Sequence, residues 1–490
     1  MSKVFERIGG ASVGRSVFNL SYEKKLTCDM GKLIPVMCDE VVPGDILDLA
    51  NNITIRMQPM VAPMLHEVNA YVHYFFVPYR LLWDDWENFI TGGEDGDDDS
   101  TLPTWNCADV TVGSLWDHLG FPTNVTLPAN NRPMSFPRDA YNFIYNEYYR
   151  DQNLIDKVAL TQENILNRAW EKDYFTASLP WQQRGTAPAL PINGTTSAVF
   201  PITGATTSSS TTFPRNASGE LSSPATDAQT LLNNNTVDLS TASTFDISDL
   251  RLAFQIQRWL ERNARAGVRY TEFLKAHFGI APKDERLDRP EYIGGSKQPI
   301  IVSEVLQTSE TNTSLQGTLA GHGLSSSGKY IGKYRAKEFG LIMGIMSVMP
   351  RSAYSQGIDR QWLRETKFDF CFPEFVNLSE QAIKTQEIYA TAVEATNDTP
   401  FGYIGKYDEM RVKRNMLAGE MRPNGDFDYW TLGRDFGSTP LLNQSFIECV
   451  PSKRVFAVQN EDVLIVQVAN LIKAVRPIPL MAEPGLIDHV

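Results

Sequence analysis

Gly323-Leu-Ser-Ser-Ser-Gly328-Lys329-Tyr330 has the GxxxxGK spacing with which a glycine-rich loop wraps phosphates and a lysine reaches them. That chemistry needs Ser or Thr after the lysine, to hold Mg²⁺, and a helix that presents its N-terminus. Tyr330 stands there instead and strand-like sequence follows, so the segment reads as a surface turn. Gly10-Ala11-Ser12-Val13-Gly14 has the spacing of a nucleophile elbow, without the preceding strand and following helix that would expose the serine. Glu94-Asp95-Gly96-Asp97-Asp98-Asp99 offers carboxylates for a divalent cation. As a calcium loop starting at Asp95 it has Ser100 where glycine must turn the chain and Asn106 where a bidentate glutamate belongs, so it reads as a solvated acidic loop. His66 and His73 are two of only six histidines. A regular strand would point them to opposite faces, which argues against a shared, cupin-like metal site. No set of residues carries a reaction: the reading is of a protein that is not an enzyme, with no catalytic or metal-ligating residues and no cofactor.

The strongest charged feature lies elsewhere. In DLRLAFQIQRWLERNARAGVRYTEFLKAHFG, the clearest helical pattern, Arg251, Arg258, Arg262, Arg265 and Arg269 fall within about 40° of one line at ~100° per residue. Leu252, Ile256, Trp259 and Leu260 form a separate apolar stripe, expected to face a core. A ridge of arginines without lysine suits carboxylates on a neighbouring subunit or the phosphates of a nucleic acid, and a plain solvated face is the third reading.

The elements that must position such residues are mostly strands. Val42-Pro43-Gly44-Asp45 breaks one apolar run into two, VNAYVHYFFVPY (68–79) reads as a buried strand, and PIIVSEVL, EFGLIMGIMSVMP, KFDFCFPEFV and EDVLIVQVANLIKAV continue the pattern after 290. LLWDDWENFI and DAYNFIYNEYYRDQN read as short helices, the second enclosed by other structure. Residues 1–27 carry a small positive excess and little periodicity, as an extended arm would. Between 193 and 248, 22 of 56 residues are Ser or Thr, with no Lys, Trp or Tyr, so this stretch reads as a surface excursion with too little apolar surface to order itself. Its sequons at Asn193, Asn216 and Asn234 are expected to stay unmodified, because the N-terminus has no apolar signal-peptide core.

The chain has 490 residues, 42% of them hydrophobic, enough for a large core. A net charge of −13 opposes coating by nucleic acid over the whole surface while leaving local basic faces open. Five cysteines without a CxxC pair point to free thiols and a reducing compartment. No run of about 18 apolar residues occurs, so no membrane span is expected.

LSYEKKLTCDMGKLIPVMCDEVVPGD, IRMQPMVAPMLHEVNAYVHYFFVPYRLLWDDWENFITGG, RSAYSQGIDRQWLR, FGYIGKYDEMRVKRN, and the C-terminal TPLLNQSFIECVP and VLIVQVANLIKAVRPIPLMAEPGLIDHV together resemble the gokushovirus major capsid protein family, of the small single-stranded DNA phages of the Microviridae. The resemblance covers nearly the whole chain outside about 193–248. It implies a mainly β fold, a single eight-stranded viral jelly roll with large loop and helical insertions. An N-terminal arm would span 1–27 and the jelly-roll domain 28–490, with 81–290 as inserted connections. It further implies a homo-oligomer, a T=1 icosahedral shell of sixty copies enclosing circular single-stranded DNA, usually with a small basic DNA-binding virion protein. The protein would reside in the virion, after assembly in the bacterial host cytoplasm. The variable insertion, with Thr206, Ser209, Phe213, Arg215 and Asn216 as candidate host-facing residues, would form protrusions at the threefold axes that meet the host cell surface. The alternative is a lectin- or cupin-like jelly-roll binding protein, which would need clustered histidines and carboxylates.

Overall fold

Strict alternation makes Ile46–Met57 a strand with one dry face: Leu47, Leu49, Asn51, Ile53, Ile55 and Met57 are buried, and the residues between them are not. Leu464–Arg476 repeats the pattern. Gly340–Pro350 and Val68–Pro78 are instead buried almost throughout, as strands covered on both faces must be. The structure is a computed structural model that describes residues 14–106, 110–188, 247–267, 269–310, 316–378 and 380–481. These fall into two compact units, Met1–Gln182 with Ala266–Val490, and Gln183–Arg265.

The larger unit holds two antiparallel sheets. In chain order the strands are β1 (Ser16–Asn19), β2 (Tyr22–Cys28), β3 (Ile34–Val41), β4 (Ile46–Met57), β5 (Val68–Pro78), β6 (Glu291–Pro299), β7 (Ile301–Leu306), β8 (Leu319–Arg335), β9 (Gly340–Pro350), β10 (Gln381–Lys384), β11 (Pro400–Ile404) and β12 (Leu464–Arg476). One sheet has six strands in the order β1-β12-β4-β8-β7, with β2 also paired to β12; the other has the order β3-β9-β5-β6, and β10 and β11 form a separate hairpin. The chain crosses from one sheet to the other at β2–β3, β3–β4, β4–β5, β6–β7, β8–β9 and on the way to β12, the path of a jelly roll. The fold is therefore mainly β with antiparallel sheets, as expected, while the sheets hold six and four strands instead of eight strands in all.

The core lies between the sheets, where Leu49, Ile53, Ile55 and Val468 meet Val72, Tyr74, Phe76 and Met346. Gly31, which turns the chain from β2 toward β3, adopts φ 82°, and a Cβ there would lie 2.0 Å from the Cys449 carbonyl oxygen. Only glycine fits that approach.

A second core explains the double burial of β5 and β9. Between β5 and β6 the chain forms α1 (Trp86–Thr91), α2 (Leu115–His118), α3 (Phe136–Ile144), a π-turn over Tyr145–Tyr149, α4 (Ile247–Ala266) and α5 (Tyr270–Phe278). Phe136, Ala140, Tyr141 and Ile144 pack on Phe75, Leu341, Met343 and Ile345, the outward face of the four-stranded sheet. The Tyr141 hydroxyl fixes the layer by donating to the Leu33 carbonyl at 2.9 Å and accepting from the Leu166 N–H at 3.0 Å.

Within the expected extended arm, residues 14–27 are held in the six-stranded sheet. β1 pairs Ser16 with Arg476 and β2 pairs Cys28 with Leu464, both on β12. Leu26 and Cys28 turn into the core, and Lys24 reaches inward to donate to the Pro35 carbonyl at 2.9 Å. Residues 1–13 lie outside the described set.

Candidate assembly surfaces

Lys367–Val376 (KFDFCFPEFV) has the composition of a strand, yet it folds as two short 3₁₀ turns, Lys367–Asp369 and Pro373–Phe375. Two local forces prevail over its β propensity. The Asp369 carboxylate accepts from the Thr366 N–H at 2.7 Å and from the Thr366 hydroxyl at 2.9 Å, closing a cap, and Pro373 brings no N–H to a ladder. The consequence is a platform of exposed large side chains: Phe368, Phe370, Phe372 and Leu378, with Trp362 beside them at 74% exposure.

The platform is held from below. The Tyr407 hydroxyl donates to the Phe370 carbonyl at 3.1 Å and accepts from the Phe372 N–H at 3.3 Å, while Tyr407 itself sits at φ 64°. The Arg364 guanidinium lies 5.0 Å over the Phe370 ring, and Phe375 contacts Phe368 and Phe372 at ring distances of 6.1 and 6.0 Å. Beneath, Arg360 donates to the buried Glu387 carboxylate at 2.9 Å, and Glu387 also accepts from the Lys384 N–H at 2.9 Å and the Tyr174 hydroxyl at 2.8 Å. Burial pushes the Glu387 carboxyl above the usual range, while the Arg360 charge opposes that shift. Sequence reasoning missed this site. Its one readable signal was the placing of Phe368, Phe370 and Phe372 around polar neighbours just before a proline.

Arg251, Arg258, Arg262 and Arg265 are exposed on α4. The fifth member of the expected line is a correction. α4 stops at Ala266, Gly267 takes φ 98°, and Arg269 becomes the residue that precedes α5. Its guanidinium donates to the Asn146 carbonyl and to Glu272, each at 3.2 Å, so Arg269 ties the larger unit together and leaves the ridge at four. The stripe expected to face a core is also corrected: Leu252, Ile256 and Trp259 are exposed.

The remaining candidates separate. Gly323–Tyr330 lies within β8 and is no turn: its residues pair with β4, and a Cβ on Gly323 would meet Met57 at 2.7 Å. His66 bonds the Arg351 carbonyl, while His73 Nδ1 pairs with the Tyr149 hydroxyl at 2.8 Å. Among the described residues no group of three His, Cys, Asp or Glu is placed to hold a metal ion, and Cys28, Cys38, Cys371 and Cys449 are free thiols. No helix among them is long and apolar enough to cross a membrane. Thr206, Ser209, Phe213, Arg215 and Asn216, the three sequons, Gly10–Val13 and Cys107 lie outside the described residues.

The larger unit is a two-sheet core with an exposed aromatic surface, and α4 carries an exposed cationic ridge. Comparison with known proteins gives the family. The family model described as capsid protein (F protein) matches residues 6–486. The capsid protein VP1 of Chlamydia phage 1 is 32% identical over 99% of this chain and 98% of its own length. That of Bdellovibrio phage phiMH2K is 35% identical over 94% and 92%, and that of Spiroplasma virus 4 is 29% identical over 98% and 97%. A structural, non-enzymatic virion protein is what these matches describe, and the chain belongs to the capsid protein (F protein) family, as a major capsid protein of the gokushovirus type within the Microviridae.

Proposed function

We propose that sixty copies of the chain close a T=1 icosahedral shell around circular single-stranded DNA. The observation that carries the reading is the run of Trp362, Phe368, Phe370 and Phe372, four large aromatic side chains left exposed within eleven residues. Such a patch marks a surface that another molecule covers, and for a shell subunit the covering molecule is a neighbouring copy. Arg251, Arg258, Arg262 and Arg265 provide a second, charged contact, either with carboxylates of a neighbour or with DNA phosphates. The surplus negative charge of the chain makes a small basic DNA-binding virion protein a fitting partner for the genome. The insertion at 193–248, with Thr206, Ser209, Phe213, Arg215 and Asn216, forms the threefold protrusion that meets the host cell surface.

The lectin- or cupin-like alternative needs imidazoles gathered at one point, and His66 and His73 are each engaged by a different neighbour.

The test is Phe370→Ser combined with Trp362→Ser, read by negative-stain imaging and sedimentation. Wild-type chain forms shells of uniform diameter, and the double variant stays as folded free subunits. A variant that assembles like wild type removes the platform from the interface, and a wild-type chain that forms no shell under any assembly condition removes the reading.

A further inference from the structure

The two sheets are not treated alike. The outward face of the four-stranded sheet lies under α3, whereas the outward side chains of the six-stranded sheet are exposed or half-buried. At one end that bare face is basic. Lys333 and Arg335 lie on β8 and Lys473 on β12, all exposed, and none of the three forms an ion pair among the described residues. The single carboxylate among them is Asp48 of β4, which the strand register places between Lys473 and Lys333. A cluster of unpaired cations on a chain of net charge −13 calls for an anionic partner.

The floor between the cations narrows the class of partner. Ala50, Asn52 and Gly328 are small, so a backbone can approach the sheet closely. Tyr330 is 61% exposed and lies opposite Ala50, whose short side chain leaves the ring uncovered, while its hydroxyl donates to the Asp48 carboxylate at 3.5 Å. Leu471 lies on the far side of Ala50 in the same row. That apolar strip is one row deep, enough to pack a base and far from the buried core a protein interface needs. An exposed ring set among cations on a flat sheet is the arrangement that stacks bases and neutralises the backbone of a single strand.

We infer that this corner of the six-stranded sheet, Tyr330, Lys333, Arg335 and Lys473, binds single-stranded nucleic acid, with Tyr330 stacking on a base and the three cations on phosphates. The inference rests on the reading that the shell encloses single-stranded DNA, and it assigns that contact to a surface separate from the arginines of α4.

The test combines Lys333→Gln, Arg335→Gln and Lys473→Gln in one chain, with oligo(dT) titrated by fluorescence anisotropy across a series of NaCl concentrations. The slope of log affinity against log salt is expected to fall by roughly 2, because each single-strand phosphate contact contributes about 0.7. Circular dichroism and shell yield stay as in wild type. Tyr330→Ala is expected to weaken binding by roughly 5- to 100-fold, and Tyr330→Phe to retain it. Unchanged affinity and slope in the triple variant overturn the inference. So does a triple variant that binds oligo(dT) normally and fails to form shells, since the face is then a contact between copies. Wild-type shells that hold no DNA, from a chain that binds no oligo(dT), overturn the inference together with the DNA-enclosing reading. Shells that hold DNA in both wild type and triple variant, with equal oligo(dT) binding, leave that reading standing and overturn the inference alone.

Discussion

Arg360 donates to Glu387 at 2.9 Å, and the carboxylate it meets is almost wholly buried, with 2% of the side chain exposed. Removing the arginine strands a charge in the interior. Arg360→Gln is expected to cost about 3–5 kcal/mol, and the paired change with Glu387→Gln less than the sum of the two single changes. Urea denaturation of the four chains measures the coupling, and additive costs would contradict it. Because Arg360 lies just before the aromatic platform, the single variant should also lower shell yield.

His73 gives the fold a pH limit. Burial, and next the positive charge of Arg168, push its imidazole down to about 4. The folded ring therefore holds its proton less well than the unfolded ring, whose pKa is about 6.5. Stability is full above about pH 6.5 and declines as pH falls toward 4, by up to ~3 kcal/mol from this group. His73→Gln is expected to flatten that part of the stability curve. Urea midpoints at neutral and mildly acidic pH check the difference between the two chains.

Gly31→Ala meets two obstacles at once, a left-handed backbone and a carbonyl oxygen 2.0 Å from the new carbon. A loss of more than ~2 kcal/mol is expected, visible as a lower melting temperature and a smaller soluble yield. A variant as stable as wild type would show that the turn can move away from Cys449.

Arg258, Arg262 and Arg265 are exposed on one helix, so their joint replacement by Gln should leave the fold intact. The expected result is impaired assembly or reduced DNA content in the particles that form. Normal particles with a normal DNA content would exclude both roles for the ridge.

Much of this architecture was legible because burial leaves a period in the sequence. β4 and β12 alternate, and β5 and β9 read as unbroken apolar runs, so their place could be inferred before their partners were known. What failed was local chemistry acting against composition. Asp369 and Pro373 turned an aromatic run away from a sheet, and Gly267 ended a helix that the arginine spacing carried through. β1 and β2 were hidden for another reason: their pairing depends on β12, more than four hundred residues later, which no local pattern can report. The basic corner escaped for a similar cause, since Lys473 joins Lys333 only across β4.

The position of β12 has a consequence in time. It lies between β2 and β4, which are among the first four strands to be synthesised, and it is itself made of residues 464–476, about four hundred residues later. A ribosome delivers the two flanking strands long before the one that joins them, so their facing edges wait, unpaired, through most of translation. The six-stranded sheet can close only after β12 has been made. A subunit whose sheet is unfinished until then is protected from joining neighbours in the meantime, and the same delay makes chaperone access to the waiting edges a determinant of particle yield.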